Sequence, residues 1–245
     1  MRLDRALTER GLARSRSHAA QLIRAGRVTV AGTPGRRPAQ EVGSDTPLTV
    51  ADDGYVSRAA YKLLGALAAT GVAVPPRVLD AGASTGGFTQ VCLERGAQTV
   101  YAVDVGHDQL AAELRTDPRV RVRERLNLRE LTLADVDDTP VDLVVADVSF
   151  ISLTLLLAPM LGVLQPAGDA LLMVKPQFEV GRERLTRTGV VRDPALHDAA
   201  VDGVLTAAAD LGWHCHTRQR SVLPGQDGNV EFFVWLRRDS PMLAR

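Results

Sequence analysis

The chain lacks most of what would staple, anchor or polarise a protein as a whole. It has two cysteines in 245 residues, Cys92 and Cys215, which excludes a disulfide framework. Neither has Cys or His partners at metal-ligand spacing, although His214 and His216 flank Cys215, so no metal site is expected and reduced thiols in a cytosol are. Long apolar runs are missing too. The longest apolar-rich stretch, Ile151 to Leu164, is 14 residues with Pro159 inside it, whereas a bilayer span needs about 20. It reads as a buried helix against a sheet, and no stable membrane association is expected. Met1 to Arg10 is charged and has no apolar core segment, so no signal peptide is expected and a cytoplasmic protein is. Net charge is also absent, at a formal zero, but it is unevenly spread: residues 1–50 hold nine Arg, no Lys and four acids. That basic end is the expected polyanion contact.

What is present begins with a hydrophobic content of 45%, enough for a real core, in a length that allows one large domain and one small one. The most informative stretch is Arg77-Val78-Leu79-Asp80-Ala81-Gly82-Ala83-Ser84-Thr85-Gly86-Gly87-Phe88-Thr89. It reads as a strand turning into a helix, with three glycines that let the backbone turn and approach a ligand. Ser84 stands where a dinucleotide fingerprint has its second glycine, and the Lys-Ser/Thr of a P-loop is absent. The loop therefore suits a nucleoside with an amino-acid-like tail, and S-adenosylmethionine fits. A second apolar run, Thr99 to Asp104, ends in an acid 24 residues after Asp80, where a doubly wound sheet places the acceptor for ribose hydroxyls. The bland alternative is that Gly86 and Gly87 allow tight packing and Asp104 caps a turn. Asp80, Gly82, Ser84, Gly86, Gly87, Phe88 and Asp104 are the expected cofactor residues, joined by Asn127 after the third strand and by Asp147.

The first fifty residues pattern as two helices and two short strands. Leu3, Ala6 and Leu7 share a face that Gly11 ends. Ser15 or Ser17 caps a second helix, and Val28-Thr29-Val30 and Leu48-Thr49-Val50 are β-prone. Arg2, Arg5, Arg10, Arg14, Arg16, Arg24 and Arg27 lie around these helices, where guanidinium forks suit the phosphates of folded RNA. Residues 51–56 are expected to be a short linker, and residues 57–245 the second domain.

In that second domain Ser57 is a plausible cap for a helix carrying Lys62, and a further helix is expected around Gln109 to Leu114. Val141 to Ala146 is a strand buried on both faces with Asp147 at its carboxyl end, and Ala170 to Val174 repeats the geometry with Lys175. Helix Pro194 to Leu211 follows, then a strand over Asn229 to Leu236 with Glu231 near its start. In open α/β sheets ligands collect at the carboxyl ends of strands, so Asp80, Asp104, Asp147 and Lys175 share one rim. An ammonium there needs a partner, because desolvating it costs several kcal/mol in order of magnitude. Two arginine-bearing loops, 181–193 and 218–228, are positioned to embrace a polymer.

Two resemblances follow from these strings. Arg-Leu-Asp, Gly-Leu-Ala-Arg-Ser-Arg and Leu-Ile-x-x-Gly-x-Val-x-Val-x-Gly, over Arg2 to Gly32, resemble the S4 RNA-binding domain. Ser-Arg-x-x-x-Lys-Leu, Asp-Ala-Gly-Ala-Ser-Thr-Gly-Gly-Phe-Thr, Asp-Val-Ser-Phe-Ile-Ser-Leu, Val-Lys-Pro-Gln-Phe-Glu and Gly-Asn-Val-Glu-Phe-Phe resemble the TlyA family, S4-domain proteins with an FtsJ-type methyltransferase domain. The resemblance implies a Rossmann-like class I methyltransferase sheet preceded by a small α+β RNA-binding domain. It also implies a Lys62, Asp147, Lys175, Glu231 tetrad and methylation of cytidine ribose in ribosomal RNA. A 2′-hydroxyl must lose its proton as it attacks, and Lys175, neutral for part of the time beside a cation such as Lys62, is the expected base. Short chain ends suggest the large subunit as target, with the small subunit second. Tyr55 replaces the Trp that some relatives carry before Val-Ser-Arg. A base N-methyltransferase fits less well, since Asp147-Val148-Ser149-Phe150 has no prolines; a non-catalytic ribosome-binding protein or haemolysin-like protein is the remaining alternative.

Overall fold

In the computed structural model, residues 1–238 are described except 14, 15, 25, 52, 53, 182, 184, 187 and 188 and the side chain at 21. The chain divides into two compact units, Met1–Tyr55 and Val56–Arg245.

In the first unit α1 (Leu3–Glu9) and α2 (Arg16–Arg24) are followed by β1 (Val28–Val30), β2 (Thr33–Pro34) and β3 (Leu48–Val50), which form an antiparallel sheet in the order β2-β1-β3. Leu3, Ala6 and Leu7 of α1 meet Ala19, Leu22 and Ile23 of α2 and Val28 and Val30 of β1 in one apolar cluster. The i, i+3, i+4 spacing on both helices makes that cluster possible. Ser17 lies inside α2 and so cannot cap it, and Ser15 is outside the described residues.

The second unit is a seven-stranded sheet. Its elements are α3 (Ala59–Thr70), β4 (Arg77–Ala81), α4 (Gly87–Glu94), β5 (Thr99–Asp104), α5 (Ala112–Arg115), β6 (Val120–Glu124), β7 (Val141–Ala146), α6 (Leu157–Gly162), β8 (Leu164–Val174), α7 (Pro176–Glu179), α8 (Pro194–Asp210), β9 (Trp213–Arg220) and β10 (Phe232–Arg238). The order is β6-β5-β4-β7-β8-β10-β9, with β6 to β8 parallel and β10 antiparallel to both of its neighbours. Successive strands are laid down outward from β4 to β6 on one side and, after β7, to β8 on the other, so the strand order reverses between the parallel neighbours β4 and β7, and such a switch point opens a crevice at the carboxyl ends of the strands. Val141, Leu143, Val144, Val145 and Ala146 are fully buried, as the continuous apolar run requires for a parallel strand covered on both faces.

Three local expectations are corrected. The single helix expected over Ile151 to Leu164 is a 3-10 turn at Leu153–Leu155 and the six-residue α6, and β8 already begins at Leu164. Ser152, whose side chain accepts from Thr154 N, starts the turn, and Pro159 sits in the first turn of α6, where no intrahelical donor is lost. Ser57 makes no cap. α3 begins two residues later, and the Ser57 hydroxyl lies where a Cβ on Gly87 would go. Of the helix expected around Gln109 to Leu114, only Ala112–Arg115 forms, because Gln109 turns back to accept a hydrogen bond from Ser84 Oγ at 3.2 Å.

Asp4 is the polar anchor of the first unit. It is 4% exposed and accepts from Arg2 Nε at 3.1 Å, Arg2 NH2 at 2.9 Å, Arg5 N at 2.8 Å and Arg16 NH2 at 3.3 Å. Hydrogen bonds from Arg2, with help from Arg16 and against the effect of burial, lower its carboxyl to about 2. A depressed folded value means that the stabilisation is full above the unfolded value near 4 and is lost as pH falls toward 2. Asp4→Asn is expected to weaken the first unit by ~1–3 kcal/mol at pH 7, the scale of hydrogen bonds to charged groups. Amide exchange of α1 in the intact chain measures this; a variant equally protected at pH 7 would contradict it.

Candidate active site

A cavity of about 550 Å³ opens at the switch point. Gly82, Ser84, Asp104, Gln109, Asn127, Asp147 and Ser149 provide its polar lining, and Val105, Leu128, Val148, Ile151 and Leu156 its apolar side. The turn out of β4 is built for this. Gly82 has φ 85°, and a Cβ there would come within 3.1 Å of the Asp147 carbonyl, so only glycine lets the chain pass that close. Gly82 N and Ala83 N both donate to Val103 O, and Ser84 N donates to Asp104 Oδ2 at 2.8 Å. Asp104 Oδ1 accepts from Gly106 N at 2.7 Å. Two backbone donors thus aim the carboxylate and leave each oxygen a lone pair for a hydroxyl.

Not every expected cofactor residue reaches this cavity. Asp80 is fully buried and accepts from Thr89 Oγ1 at 2.6 Å; its Oδ1 has no hydrogen-bond partner among the described residues. Gly86 and Gly87 meet the packing alternative: a Cβ on the first would strike Leu114 and Leu110, and on the second Ser57 and Ala60. Phe88 is 2% exposed and stacks on Phe233 of β10 at 6.1 Å between centroids. These four fasten the loop from behind, whereas Gly82, Ser84, Asp104, Asn127 and Asp147 line the cavity. Asn127 also accepts from Arg129 N. Gln109 and Ser149 were not singled out from the sequence, because a loop glutamine and a serine after a strand carry no distinctive signal.

The tetrad comes together on the same rim. Lys62 Nζ donates to Glu231 Oε2 at 2.6 Å and lies 3.9 Å from Asp147 Oδ2, while Lys175 Nζ lies 2.6 Å from Asp147 Oδ1 and donates to Ser149 Oγ at 2.8 Å. Lys62, Lys175 and Glu231 are each less than a tenth exposed. Asp147 therefore holds both ammoniums from opposite oxygens, and Glu231 takes the other side of Lys62. Each buried charge has a partner, which is the condition for keeping it there. Lys62 and Lys175 are also the only lysines in the chain. A guanidinium is a planar, delocalised fork, whereas a lysine ammonium is a compact point charge on a flexible stem. From the sequence Lys62 was reached only through the family resemblance.

The arginines of the first unit are placed differently from one another. Arg2 and Arg16 hold Asp4, Arg5 pairs with Glu9 at 2.7 Å, Arg10 donates to the carbonyls of Gly43, Ser44 and Thr46, and Arg27 donates to that of Ala51. Arg24 is exposed at the end of α2, and Arg14 lies outside the described residues. Of the two outer loops, Arg182, Arg184 and Arg187 lie outside the described residues; Arg192 and Arg220 are exposed; and Arg218 pairs with Asp198 and Asp202.

Comparison with known proteins agrees with this architecture. The model for FtsJ-like methyltransferases matches residues 55–238, and that for the S4 domain residues 1–46. The chain belongs to the FtsJ-like methyltransferase family. It is 52% identical over 240 residues to the 16S/23S rRNA (cytidine-2'-O)-methyltransferase TlyA of Mycobacterium tuberculosis, covering 96% of this chain and 89% of that one. Hemolysin A of Brachyspira hyodysenteriae is 36% identical over 236 residues, covering 96% and 98%. A solved structure of a hemolysin-named protein from Streptococcus thermophilus has a TM-score of 0.79 at 38% identity, covering 98% and 90%. Among the described residues no helix is long and apolar enough to cross a membrane.

Burial raises the Asp80 carboxyl to about 7, against hydrogen bonds from Thr89 that lower it. A raised folded value means that the native state holds a proton which the unfolded state has lost, so this contribution to stability is present below about pH 4 and disappears as pH rises through about 7. Asp80→Asn, which cannot ionise, is expected to gain on the parent by more than about 1 kcal/mol between pH 5 and pH 8, one pKa unit being worth about 1.4 kcal/mol. Urea denaturation at the two pH values measures the gap, and a constant gap would refute the assignment.

Proposed function

We propose that this chain transfers the methyl group of S-adenosylmethionine to the 2′-hydroxyl of a cytidine in ribosomal RNA. One observation carries the reading: Asp147 lines the cavity and also holds the two lysines, so a donor in the cavity and a base on the rim are neighbours. The residues suit the donor. Asp104 offers oriented acceptors to ribose hydroxyls, Asn127 an amide to the adenine edge, and Leu128, Ile151 and Leu156 an apolar slot. When bound, S-adenosylmethionine supplies an electrophilic methyl carbon on a sulfonium that leaves as a thioether.

The chain's own task is to place the hydroxyl and take its proton. In its neutral amine form Lys175 Nζ accepts that proton as the oxygen bonds to the methyl carbon and the carbon–sulfur bond breaks. Asp147 holds Lys175 in position at 2.6 Å, and Glu231 anchors Lys62, which completes the charge balance around Asp147. Phe150 stands 92% exposed on the cavity rim, its ring 5.3 Å from that of Phe178, and offers a stacking surface to an unpaired base. An RNA substrate is further supported by the S4 domain, by the exposed Arg24, and by the names of the relatives. Such a reaction belongs in the cytoplasm with the ribosome.

Incubation of labelled methyl donor with small subunits, large subunits and intact ribosomes, followed by mapping of the nucleotide, tests the reading. Label is expected on a cytidine ribose; label on a base would overturn it. Lys175→Ala is expected to lose at least ~100-fold in kcat, the usual scale of general-base catalysis, with donor affinity retained. Deleting residues 1–50 is expected to weaken RNA binding and flatten its salt dependence without abolishing donor binding; an unchanged RNA Kd would rule out the RNA-binding role of that segment.

A further inference from the structure

The loop after β7 and the turn after β8 are fastened together at three places, and the lysine cluster accounts for one of them. At the near end Lys175 meets Asp147 and donates to Ser149 Oγ at 2.8 Å. In the middle Phe150, with φ 67°, leans on Phe178. At the far end Glu179 Oε2 accepts from Ser152 Oγ at 2.6 Å, and its Oε1 accepts from Leu153 N at 2.8 Å. Glu179 is half-buried, and burial pushes its carboxyl up while those two hydrogen bonds pull it down. Both of its oxygens are thus committed to one short segment.

That segment is not peripheral. Asp147 to Ile151 all line the donor cavity, so the loop is the wall shared by cavity and base. A non-glycine residue in the left-handed region persists only where its surroundings impose it. Phe150 is almost wholly exposed, so the constraint comes from the fastened ends of the loop.

We infer that Glu179 is a positioning residue for methyl transfer: by clamping Ser152 and Leu153 to the turn after β8, it sets where Ser149 holds the Lys175 amine against the donor cavity. The inference rests on the reaction proposed above. It depends on the reach of the side chain rather than on its charge. Glutamine has the same reach, offers Leu153 N an acceptor and can donate to Ser152 Oγ, whereas aspartate keeps the charge and falls one methylene short.

The test compares Glu179→Gln with Glu179→Asp in kcat, KM for the methyl donor, melting temperature and side-chain ¹⁵Nζ NMR. Lysine-selective labelling gives two Nζ signals only, from Lys62 and Lys175. E179Q is expected to keep at least a third of kcat and a sharp Lys175 signal. E179D is expected to lose ten- to a hundredfold in kcat, with KM for the donor within threefold and the Lys175 signal shifted or broadened. Ser149→Ala, which leaves the clamp intact, is expected to perturb the Lys175 signal while melting like the parent. Wild-type kcat in E179D, an unchanged Lys175 signal in both E179D and S149A, or losses in E179Q and E179D that simply follow their melting temperatures would overturn the inference. Parent enzyme that labels a base would instead remove the reaction, and the NMR comparison would still decide whether the clamp governs Lys175.

Discussion

A single carboxylate, Asp147, faces two buried ammoniums, and much of the architecture serves that contact. Two cations brought within reach of one another repel, and an acid between them is what lets both stay out of water. The acid must come from the carboxyl end of a central strand to be that deep, and the lysines must come from elements on either side: one from α3, one from the end of the neighbouring β8. Glu231, next to β10, supplies the second negative charge. The continuous apolar run of β7 is the physical cost of placing Asp147 there, since such a strand is stable only when covered on both faces.

Much of this arrangement was legible in the sequence because parallel strands announce their own ends. An apolar run closed by an acid or an amine locates the rim, and Asp104, Asp147 and Lys175 were placed by that logic alone. The glycines behaved otherwise. Gly82 and Gly86 are indistinguishable in the string, yet the first spares the Asp147 carbonyl and the second spares Leu110 and Leu114. Which neighbour a missing Cβ would strike is decided by residues far along the chain. Arginines were ambiguous for the same reason: whether Arg16 meets a phosphate or Asp4 depends on how two helices cross, which spacing does not specify.

The contrast between arginine and lysine sharpens the site. A guanidinium is a fixed charge with a rigid fork, and the chain uses it for ion pairs, for carbonyl clamps and on its surface. An amine is chosen twice, both times in the same buried cluster. Shape and chemistry therefore select the same two positions independently, one through the topology of the sheet and the other through the exclusion of lysine everywhere else.

β10 is also a matter of chain order. It is inserted between β8 and β9 although it follows both in the chain, and Glu231 stands just before it, 169 positions after Lys62. The cavity at the switch point is lined by residues from 82 to 156. Every residue that lines the cavity therefore precedes the carboxylate that closes the far side of Lys62. Reversing β10 beside the parallel strands thus brings a late segment of the chain against a lysine from the first helix of its unit.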